Sequence, residues 1–354
     1  MFNNKKVLIT GGTGSWANEL VKQLLESYSP TEIRLYSRGE QKQVEMKHRF
    51  GGNPILKFVV GDVRDSDRLE MASKDINYIF HTAALKHVPV CEENPWEAVL
   101  TNIQGTKNVT DAAIKNKVAK VILISSDKAV DPLNLYGTTK QCAEKLIIAA
   151  NNLSKSTRFV CVRGGNVLGT AGSVVPLFRE QIRKNNEITL TDDRMTRFYL
   201  TLKQAIHLVF KSIENSIGGE VFVLNMPATK ITDMAKVMIS NLGDSTTKIR
   251  RIGVRPGEKM HEVLISRYES ERTLEEGSYF IILPNIPIDG IAEKYSLGKK
   301  VSFEEFTSEN TRQLLKDDVQ KMLDEDGWLG KLSEVGFLGK INPQDLKFEK
   351  EKWL

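Results

Sequence analysis

Residues 5–26 read KKVLITGGTGSWANELVKQLLE, a short apolar strand and a glycine-rich turn that leads into an amphipathic helix. Gly11, Gly14 and Ala17 have Gly-x-x-Gly-x-x-Ala spacing. The two glycines let backbone approach a pyrophosphate at the helix N-terminus, and a small third residue allows close helix–strand packing. The stretch therefore predicts a dinucleotide-binding α/β fold, with a plain glycine-rich strand–helix turn as the alternative.

Composition is that of an ordinary globular protein. The 354 residues are 40% hydrophobic and 27% charged, and the net charge of +5 is spread along the chain. This pattern gives little support for a nucleic-acid-binding surface, and no run is long enough for a membrane span. The start lacks the features of a secretory signal, and the three distant cysteines favour neither a disulfide framework nor a metal site. A reducing cytoplasm is the expected compartment.

Further apolar strands follow the first at about residues 32–36, 55–60, 77–82 and 121–124, with helical segments between them. Alternating strands and helices predict a Rossmann-type, doubly wound parallel sheet in residues 1–165. Its binding site should lie beyond the carboxyl ends of the strands. A later strand near 220–226 should return to this sheet, so a smaller substrate-binding α/β domain at 166–285 is interleaved with the first. Residues 286–354 are predicted to form a C-terminal extension.

The second strand is followed by residues that favour NADP over NAD. Ser37, Arg38 and Lys42 stand where an NAD site usually carries an acid, and a hydroxyl with two cations suits a 2′-phosphate. Both cations could instead be surface charges. Other predicted cofactor contacts come from the glycine turn and from the ends of the third and fourth strands: Thr13, Ser15, Trp16, Asp62, Val63, Ala83 and Ala84. Asp62 could accept from the adenine amine or could cap a helix.

The stretch SSDKAVDPLNLYGTTK, residues 125–140, contains four candidate proton-handling groups. Asp127 and Lys128 follow a buried strand. Tyr136 and Lys140 are four residues apart on the predicted helix, so they share a face and the ammonium should lie near the phenol. A nearby cation lowers a phenol's pKa, as a tyrosine requires to take a proton from a hydroxyl near neutral pH. In isolation, a YxxxK pattern is more often structural.

Candidate substrate contacts lie at the same edge and farther along the chain. Lys86 follows the fourth strand and suits a diphosphate, whereas His87 is expected to pack. Arg197 and Arg255 suit phosphate oxygens, and Glu258 suits paired hydroxyls. Either arginine could equally form a surface ion pair.

Taken together, the glycine turn, GDVRD, AALKHVP, SSDKA and YGTTK resemble the extended short-chain dehydrogenase/reductase superfamily. Four longer segments, NLYGTTK, GGNVLGTAGSVVPLF, TDDRMTRFYLTL and GVRPGEKMHE, are similar to bacterial UDP-N-acetylglucosamine 4,6-dehydratases that invert C5. The likeness extends over roughly residues 5–285. It implies an NADP-dependent hydro-lyase of surface-polysaccharide synthesis and a homo-oligomer, with a hexamer suggested.

The resemblance also implies roles for individual residues. Tyr136 takes the 4-hydroxyl proton while hydride leaves C4, and Lys140 holds the nicotinamide ribose. Lys128 removes the C5 proton and Asp127 protonates the departing 6-hydroxyl. Lys128 must therefore lose its own proton, through burial or neighbouring cations. The loop at 164–178 holds the uridine diphosphate, with Asn166 and Val174 as predicted contacts.

Other functions of the same superfamily remain alternatives. A nucleotide-sugar 4-epimerase would share the fold and YxxxK but has no use for an acid–base pair at 127 and 128, and C5-retaining dehydratases typically carry an Asp–Glu pair there. A non-catalytic NADP-sensing or scaffold protein is a further alternative. The sequence departs from the pattern at Ala17, which replaces a third glycine, at Trp16, and at Gly164, where a tyrosine is common. Gly164 makes the accepted sugar less certain than the reaction type.

Overall fold

The computed structural model describes residues 1–170 and 172–330. The described strands are β1 Lys6–Thr10, β2 Glu32–Ser37, β3 Leu56–Val60, β4 Tyr78–His81, β5 Lys120–Ser126, β6 Arg158–Gly164, β7 Asn166–Val167, β8 Glu187–Leu190, β9 Thr196–Leu200, β10 Val221–Leu224, β11 Ala228–Lys230, β12 Lys248–Arg251, β13 Val263–Ile265, β14 Thr273–Glu276, β15 Tyr279–Ile282, β16 Lys299–Lys300 and β17 Phe306–Thr307.

The described α-helices are α1 Ser15–Ser27, α2 Glu40–Arg49, α3 Ser66–Ala72, α4 Val88–Glu93, α5 Pro95–Ala98, α6 Gly105–Lys115, α7 Leu135–Ala150, α8 Val174–Asn185, α9 Leu202–Asn215, α10 Ile231–Leu242, α11 Arg267–Ser270, α12 Ile291–Lys294 and α13 Lys316–Glu325. A π-helical segment, Val99–Gln104, precedes α6, and a 3₁₀ turn, Asp127–Ala129, follows β5.

One sheet of ten strands organises the molecule, in the order β16-β14-β15-β10-β6-β5-β4-β1-β2-β3. The strands from β3 through β10 are parallel, and β15, β14 and β16 add an antiparallel edge. Successive residues of a strand face opposite sides, so Val7 and Ile9 enter one core while Leu8 enters the other. Burial on both faces explains the uninterrupted apolar strands of the sequence, and the predicted doubly wound α/β fold is confirmed.

A smaller lobe carries its own core, separate from the two cores of the sheet. It consists mainly of α8, α10 and α13 with β8 and β9, and Trp328 closes one side of it. β7, β9 and β11 form a short sheet beside the large one. The division of the chain into domains stays a prediction. The structure places β10 next to β6, and residues 273–300 extend the large sheet.

A buried ionic cluster connects the sheet to the helix that follows β5. Arg163 on β6 is 2% exposed and lies 2.7 Å from a Glu144 carboxylate oxygen and 2.9 Å from Glu269. It also donates to the Leu264 carbonyl at 2.8 Å. Burial alone would raise the pKa of Glu269, but Arg163 outweighs burial and lowers this pKa to about 2. These contacts fix α7 relative to α11.

The predicted extension at 286–354 lies partly outside the described residues, which end at 330. The described part of the chain contains no helix long and apolar enough to cross a membrane.

Candidate active site

The first part of the site is the connection from β5 to α7. Asn134 caps α7 by accepting from the Gly137 amide at 2.9 Å, and its own amide group donates to the Gly257 carbonyl. A β-carbon at Gly137 would lie only 2.1 Å from the Lys128 carbonyl oxygen. The start of α7 therefore packs directly on the 3₁₀ turn and brings Tyr136 close to Asp127 and Lys128.

Four charged side chains meet beneath this connection. The Lys128 ammonium lies 3.1 Å from Asp127 Oδ1 and 3.3 Å from Glu262 Oε1. Arg197 Nε lies 3.5 Å from the same Glu262 oxygen. Asp127, Arg197 and Glu262 are all buried. The ammonium is thus held between two carboxylates.

These carboxylates decide the ionisation of Lys128. Burial disfavours its charged form, but Asp127 and then Glu262 outweigh burial, so the pKa of Lys128 is raised. From the sequence, burial or neighbouring cations such as Lys140 were expected to help Lys128 lose its proton, whereas the two carboxylates in the structure favour the protonated form. Glu262 supplies a second negative charge that was not anticipated, and Lys128 is an ammonium near neutral pH.

Tyr136 is buried, which raises its pKa, while a hydrogen bond with Ser126 and the nearby Lys128 charge act in the opposite direction. Lys140 shares the helix face, yet its ammonium donates to the Ile124 carbonyl at 2.7 Å. Burial lowers the pKa of Lys140 to about 8, although Glu144 opposes the shift. The cation that lowers the phenol's pKa is therefore Lys128, where the sequence analysis expected Lys140.

These groups open into a cavity of about 380 Å³ between the large sheet and the smaller lobe. Asp127, Lys128 and Tyr136 line it, whereas Lys140 is not among the lining residues. Every predicted substrate contact is among the lining residues, namely Lys86, Asn166, Val174, Arg197, Arg255 and Glu258. The structure thus brings together residues that are more than 170 positions apart in the sequence.

At the cavity's outer side, Arg255 and Glu258 face each other, with 4.0 Å between Nη1 and Oε1. The Arg255 side chain is 52% exposed and remains accessible to an anion. Arg197, in contrast, is buried, and its Nη1 donates to the carbonyls of Thr196 and Met260. The two arginines therefore differ in exposure, and Arg197 is the one already held by hydrogen bonds to backbone carbonyls.

The glycine turn fits a pyrophosphate. Gly11 has φ +68°, and a β-carbon there would lie 2.8 Å from Thr82 Oγ1 and 2.9 Å from the Ala83 amide. Gly14 forms the N-cap of α1 without a side-chain hydrogen bond, so backbone N–H groups at this end suit an anion. Of the other predicted contacts, Thr13 lies in the same turn, Ser15 begins α1, and Ala84 follows β4. Trp16 also lines the cavity.

The residues predicted to contact the adenosine part of the cofactor follow β2 and β3 or end them, and they differ in burial and in hydrogen bonding. Ser37 is buried and its Oγ accepts from Gln43 Nε2 at 3.0 Å, whereas Arg38 and Lys42 are exposed. Asp62 accepts from Arg64 at 2.6 Å and lies 3.7 Å from Arg38.

Burial would raise the pKa of Asp62, but hydrogen bonds from Arg64 lower it. The side chain of Val63 is buried, and a β-carbon at Gly105 would lie 2.7 Å from its Cγ2. Val63 can therefore offer only its backbone to a cofactor. This set of contacts stays a prediction.

Sequence reasoning missed Glu262, Ser126 and Tyr199. Glu262 is the final residue of GVRPGEKMHE. This segment has no helical or strand periodicity that would indicate a buried position. Several cavity-lining residues carry buried polar atoms for which the described residues supply no hydrogen bond: Ser125 Oγ, Asp127 Oδ2, Ser173 Oγ, Tyr199 OH and Glu262 Oε2. Such atoms suit a polar ligand, because unsatisfied buried groups are costly. Within residues 1–170 and 172–330, no cluster of His, Cys, Asp or Glu could hold a metal ion.

Residues 7–284 match the family described as "Polysaccharide biosynthesis protein". The chain belongs to this family. It is 46% identical over 291 residues to a Campylobacter jejuni UDP-N-acetylglucosamine 4,6-dehydratase (inverting), which covers 81% of this chain and 85% of that protein. It is 42% identical over 334 residues to a Rickettsia canadensis UDP-glucose 4-epimerase, with 91% and 96% covered. The similarity to inverting dehydratases expected from the sequence is confirmed.

Solved structures agree on the fold. The X-ray structure of Pen from Bacillus thuringiensis is 40% identical, has a TM-score of 0.87 and covers 93% of this chain and 100% of its own. A dTDP-glucose 4,6-dehydratase from Streptomyces venezuelae, DesIV, with NAD bound, is 18% identical, with a TM-score of 0.67 and coverage of 91% and 98%. The second likeness concerns the fold alone.

Proposed function

We propose that this protein catalyses NADP-dependent 4,6-dehydration of UDP-N-acetylglucosamine with inversion at C5. The product is UDP-2-acetamido-2,6-dideoxy-β-L-arabino-hexos-4-ulose. The observation that carries the proposal is the Asp127–Lys128 pair, 3.1 Å apart, beside Tyr136 on one cavity. The 46% identical inverting dehydratase supports the substrate and the reaction.

A bound nicotinamide cofactor would supply the hydride chemistry, oxidation at C4 and later reduction at C6, so the reaction would have no net redox change. Its pyrophosphate would lie on the glycine turn, where Gly14 caps α1 without a side-chain hydrogen bond. NADP is favoured by two exposed cations, Arg38 directly after β2 and Lys42 in the first turn of α2. A charge-assisted contact to a 2′-phosphate is the physical reason.

The site's own residues would handle the protons. Tyr136 takes the proton of the 4-hydroxyl, and the adjacent Lys128 cation stabilises the phenolate. Lys128, once neutral, removes the C5 proton, which a C4 ketone makes acidic. Asp127 can receive the proton that Tyr136 has taken, because Ser126 bonds to both residues. It then donates this proton to the departing 6-hydroxyl and thereby releases water. Lys140, held by the Ile124 carbonyl, positions the nicotinamide ribose.

The nucleotide would bind at the opposite side of the cavity. Arg197 and Arg255 suit the diphosphate, because guanidinium groups match phosphate oxygens. Glu258 suits the ribose hydroxyls, and Lys86 adds positive charge near the diphosphate. Asn166 and Val174 complete the predicted contacts from the loop after β6.

The Rickettsia relative favours a second candidate, a nucleotide-sugar 4-epimerase. An epimerase would also use Tyr136 and the cofactor, but it transfers no proton at C5 and eliminates no water. The Asp127–Lys128 pair therefore favours dehydration. A C5-retaining dehydratase would eliminate water without inverting the centre.

Incubation of the purified protein with UDP-N-acetylglucosamine in deuterated water distinguishes these reactions. A dehydratase product is lighter by one water, before the mass of incorporated deuterium is counted, whereas an epimerase product has the substrate's mass. NMR of the product reports deuterium and configuration at C5. We expect a C5-labelled L-arabino product. Product of unchanged mass, or with retained C5 configuration, would refute the proposal.

The compartment and assembly belong to the same proposal. Cys91, Cys142 and Cys161 are free thiols, as expected for a reducing cytoplasm. A homo-oligomer is proposed from the resemblance alone, and light scattering of the purified protein measures its mass.

A further inference from the structure

The proposed mechanism requires Lys128 to lose its proton before it attacks C5. A lysine acts as a base only after it loses this proton, and here two carboxylates favour the ammonium. Arg197, Lys259 and Lys86 lie near these groups and oppose the proton instead. The remaining titratable groups that act electrostatically on Lys128 are two phenols, Tyr136 and Tyr199. A neutral Lys128 needs a local proton acceptor.

Glu262 has the geometry of such an acceptor. Its Oε1 lies 3.3 Å from the Lys128 ammonium, and the residue is 3% exposed. Its Oε2 is buried, and no hydrogen bond from the described residues reaches it. A carboxylate with one oxygen toward an ammonium and the other without a donor has room for a proton.

The backbone of Glu262 is fixed independently of Lys128. Its amide donates to Ser308 Oγ at 2.9 Å, and its carbonyl accepts from the Ser308 amide at 2.8 Å. Ser308 Oγ also donates to the Thr196 carbonyl, beside Arg197. The carboxylate therefore keeps its place when charges in the cavity move.

Asp127 is less suited to the same role. Its Oδ2 also receives no hydrogen bond from the described residues, but its Oδ1 accepts from Ser126 Oγ at 2.8 Å as well as facing Lys128. In the proposed sequence Asp127 already holds the proton that it donates to the 6-hydroxyl, so it cannot take a second proton from Lys128. Asp127 is therefore assigned to the 6-hydroxyl, and Glu262 is left as the acceptor for the Lys128 proton.

We infer that Glu262 takes the proton from Lys128 and so converts it into the base that attacks C5. This inference deepens the proposed function and rests on it. One N–H bond of Lys128 breaks and one O–H bond forms on Glu262, with no change in the charge of the pair. Lys128 then takes the C5 proton from the sugar. Glu262 acts only through Lys128 and is a positioning residue.

Binding of the sugar supplies the driving force. In water the reference pKa values of Lys and Glu, about 10.4 and about 4.3, keep the proton on lysine. A sugar that excludes water from the cavity removes the solvation that favours the two ions. This change lowers the free energy of the neutral pair relative to the ion pair.

The test is Glu262→Gln, which keeps the shape but cannot accept a proton. The measured quantity is C5 hydrogen–deuterium exchange in a single turnover, with C4 oxidation followed separately as NADPH absorbance. Asp127, whose charge acts more strongly on Lys128 than that of Glu262, still favours the ammonium in this variant. At neutral pH we therefore expect exchange to fall roughly a hundredfold to ten-thousandfold while C4 oxidation persists. Exchange should then rise about tenfold per pH unit, because solvent must deprotonate Lys128. Wild-type exchange should stay flat over that range.

Other outcomes separate the possibilities. Wild-type enzyme without C5 exchange would refute the proposed function itself. If the wild type exchanges and Glu262→Gln exchanges equally at neutral pH, the inference fails. It also fails if the variant oxidises C4 but shows no exchange at any pH, since that result indicates another role.

Two further variants complete the design. If Glu262→Gln does not oxidise C4, Glu262→Asp becomes the test of the inference, because this variant retains a carboxylate that can accept the Lys128 proton. We expect a pH-independent ratio of exchange to C4 oxidation in Glu262→Asp, and a ratio that climbs with pH would contradict the inference. Adding Glu262→Gln to Lys128→Ala should cause no further loss of exchange, because both residues serve one step.

Discussion

Gly137 offers a sharp test of how α7 is set against the catalytic turn. A β-carbon at this position would lie 2.1 Å from the Lys128 carbonyl oxygen and 2.9 Å from Pro132 Cβ. Gly137→Ala therefore forces the helix start and the turn apart by roughly an ångström. Tyr136 lies on one side of this contact and Lys128 on the other, so the distance between two catalytic groups must change.

Two effects of opposite sign determine the result for stability. Alanine in a helix gains about 1 kcal/mol over glycine. Overpacking against fixed backbone costs about 1–3 kcal/mol, and the obstructing atom here is a backbone oxygen that cannot rotate away. We expect a net loss of stability. The larger effect should be on turnover, because misplacement by about 1 Å can cost about a hundredfold in rate.

The assay combines turnover of UDP-N-acetylglucosamine with thermal unfolding of the same protein. Gly164→Ala is the matched control, since a β-carbon at Gly164 meets no atom within 4 Å. We expect the control to unfold like the wild type. If Gly137→Ala keeps both the wild-type rate and the wild-type melting temperature, α7 does not depend on this contact and our account of the site's geometry is wrong.

Three further predictions follow from the same structure. Tyr136→Phe should abolish hydride transfer yet retain cofactor, because only the hydroxyl is lost, and NADPH absorbance during turnover will show it. Arg38→Asp should weaken NADP far more than NAD in a binding titration, since a carboxylate would repel the 2′-phosphate; equal losses would contradict NADP preference. Glu269 has its folded pKa depressed to about 2 from 4.5, so its contribution exists above pH 4.5 and disappears as pH falls toward 2. That shift is worth up to about 3 kcal/mol of unfolding free energy. When unfolding free energy is measured as pH is lowered, Glu269→Gln should lack this pH-dependent contribution. Glu304→Gln, at an exposed ion pair, is the control and should show the pH dependence of the wild type.

The large sheet was predictable because its strands are continuous apolar runs separated by helical segments. The edge strands β14 and β16 were not, because β16 has only two residues and exists through its pairing with β14. Such strands depend on tertiary contacts and leave a weak pattern in the sequence.

In the site, residue types indicated the chemistry but not its electrostatics. Spacing placed Tyr136 and Lys140 on one helix face, but it did not show that the Ile124 carbonyl holds the Lys140 ammonium. Glu262 reaches Lys128 from 134 positions away, and only the packing of β13 against β17 brings it there. Interactions at this sequence distance require the fold itself.

The order of the strands along the chain has a consequence for biosynthesis. The strands β1–β6, with the glycine turn and α7, all come from the first 164 residues. The smaller lobe needs α13 and Trp328, near the end of the described chain. We therefore expect a ribosome-bound chain to assemble its nucleotide-binding half early, as N-terminal units generally do. The cavity can close only after α13 and Trp328 have been translated, so a chain stalled before residue 316 should bind the nicotinamide cofactor without acting on a sugar.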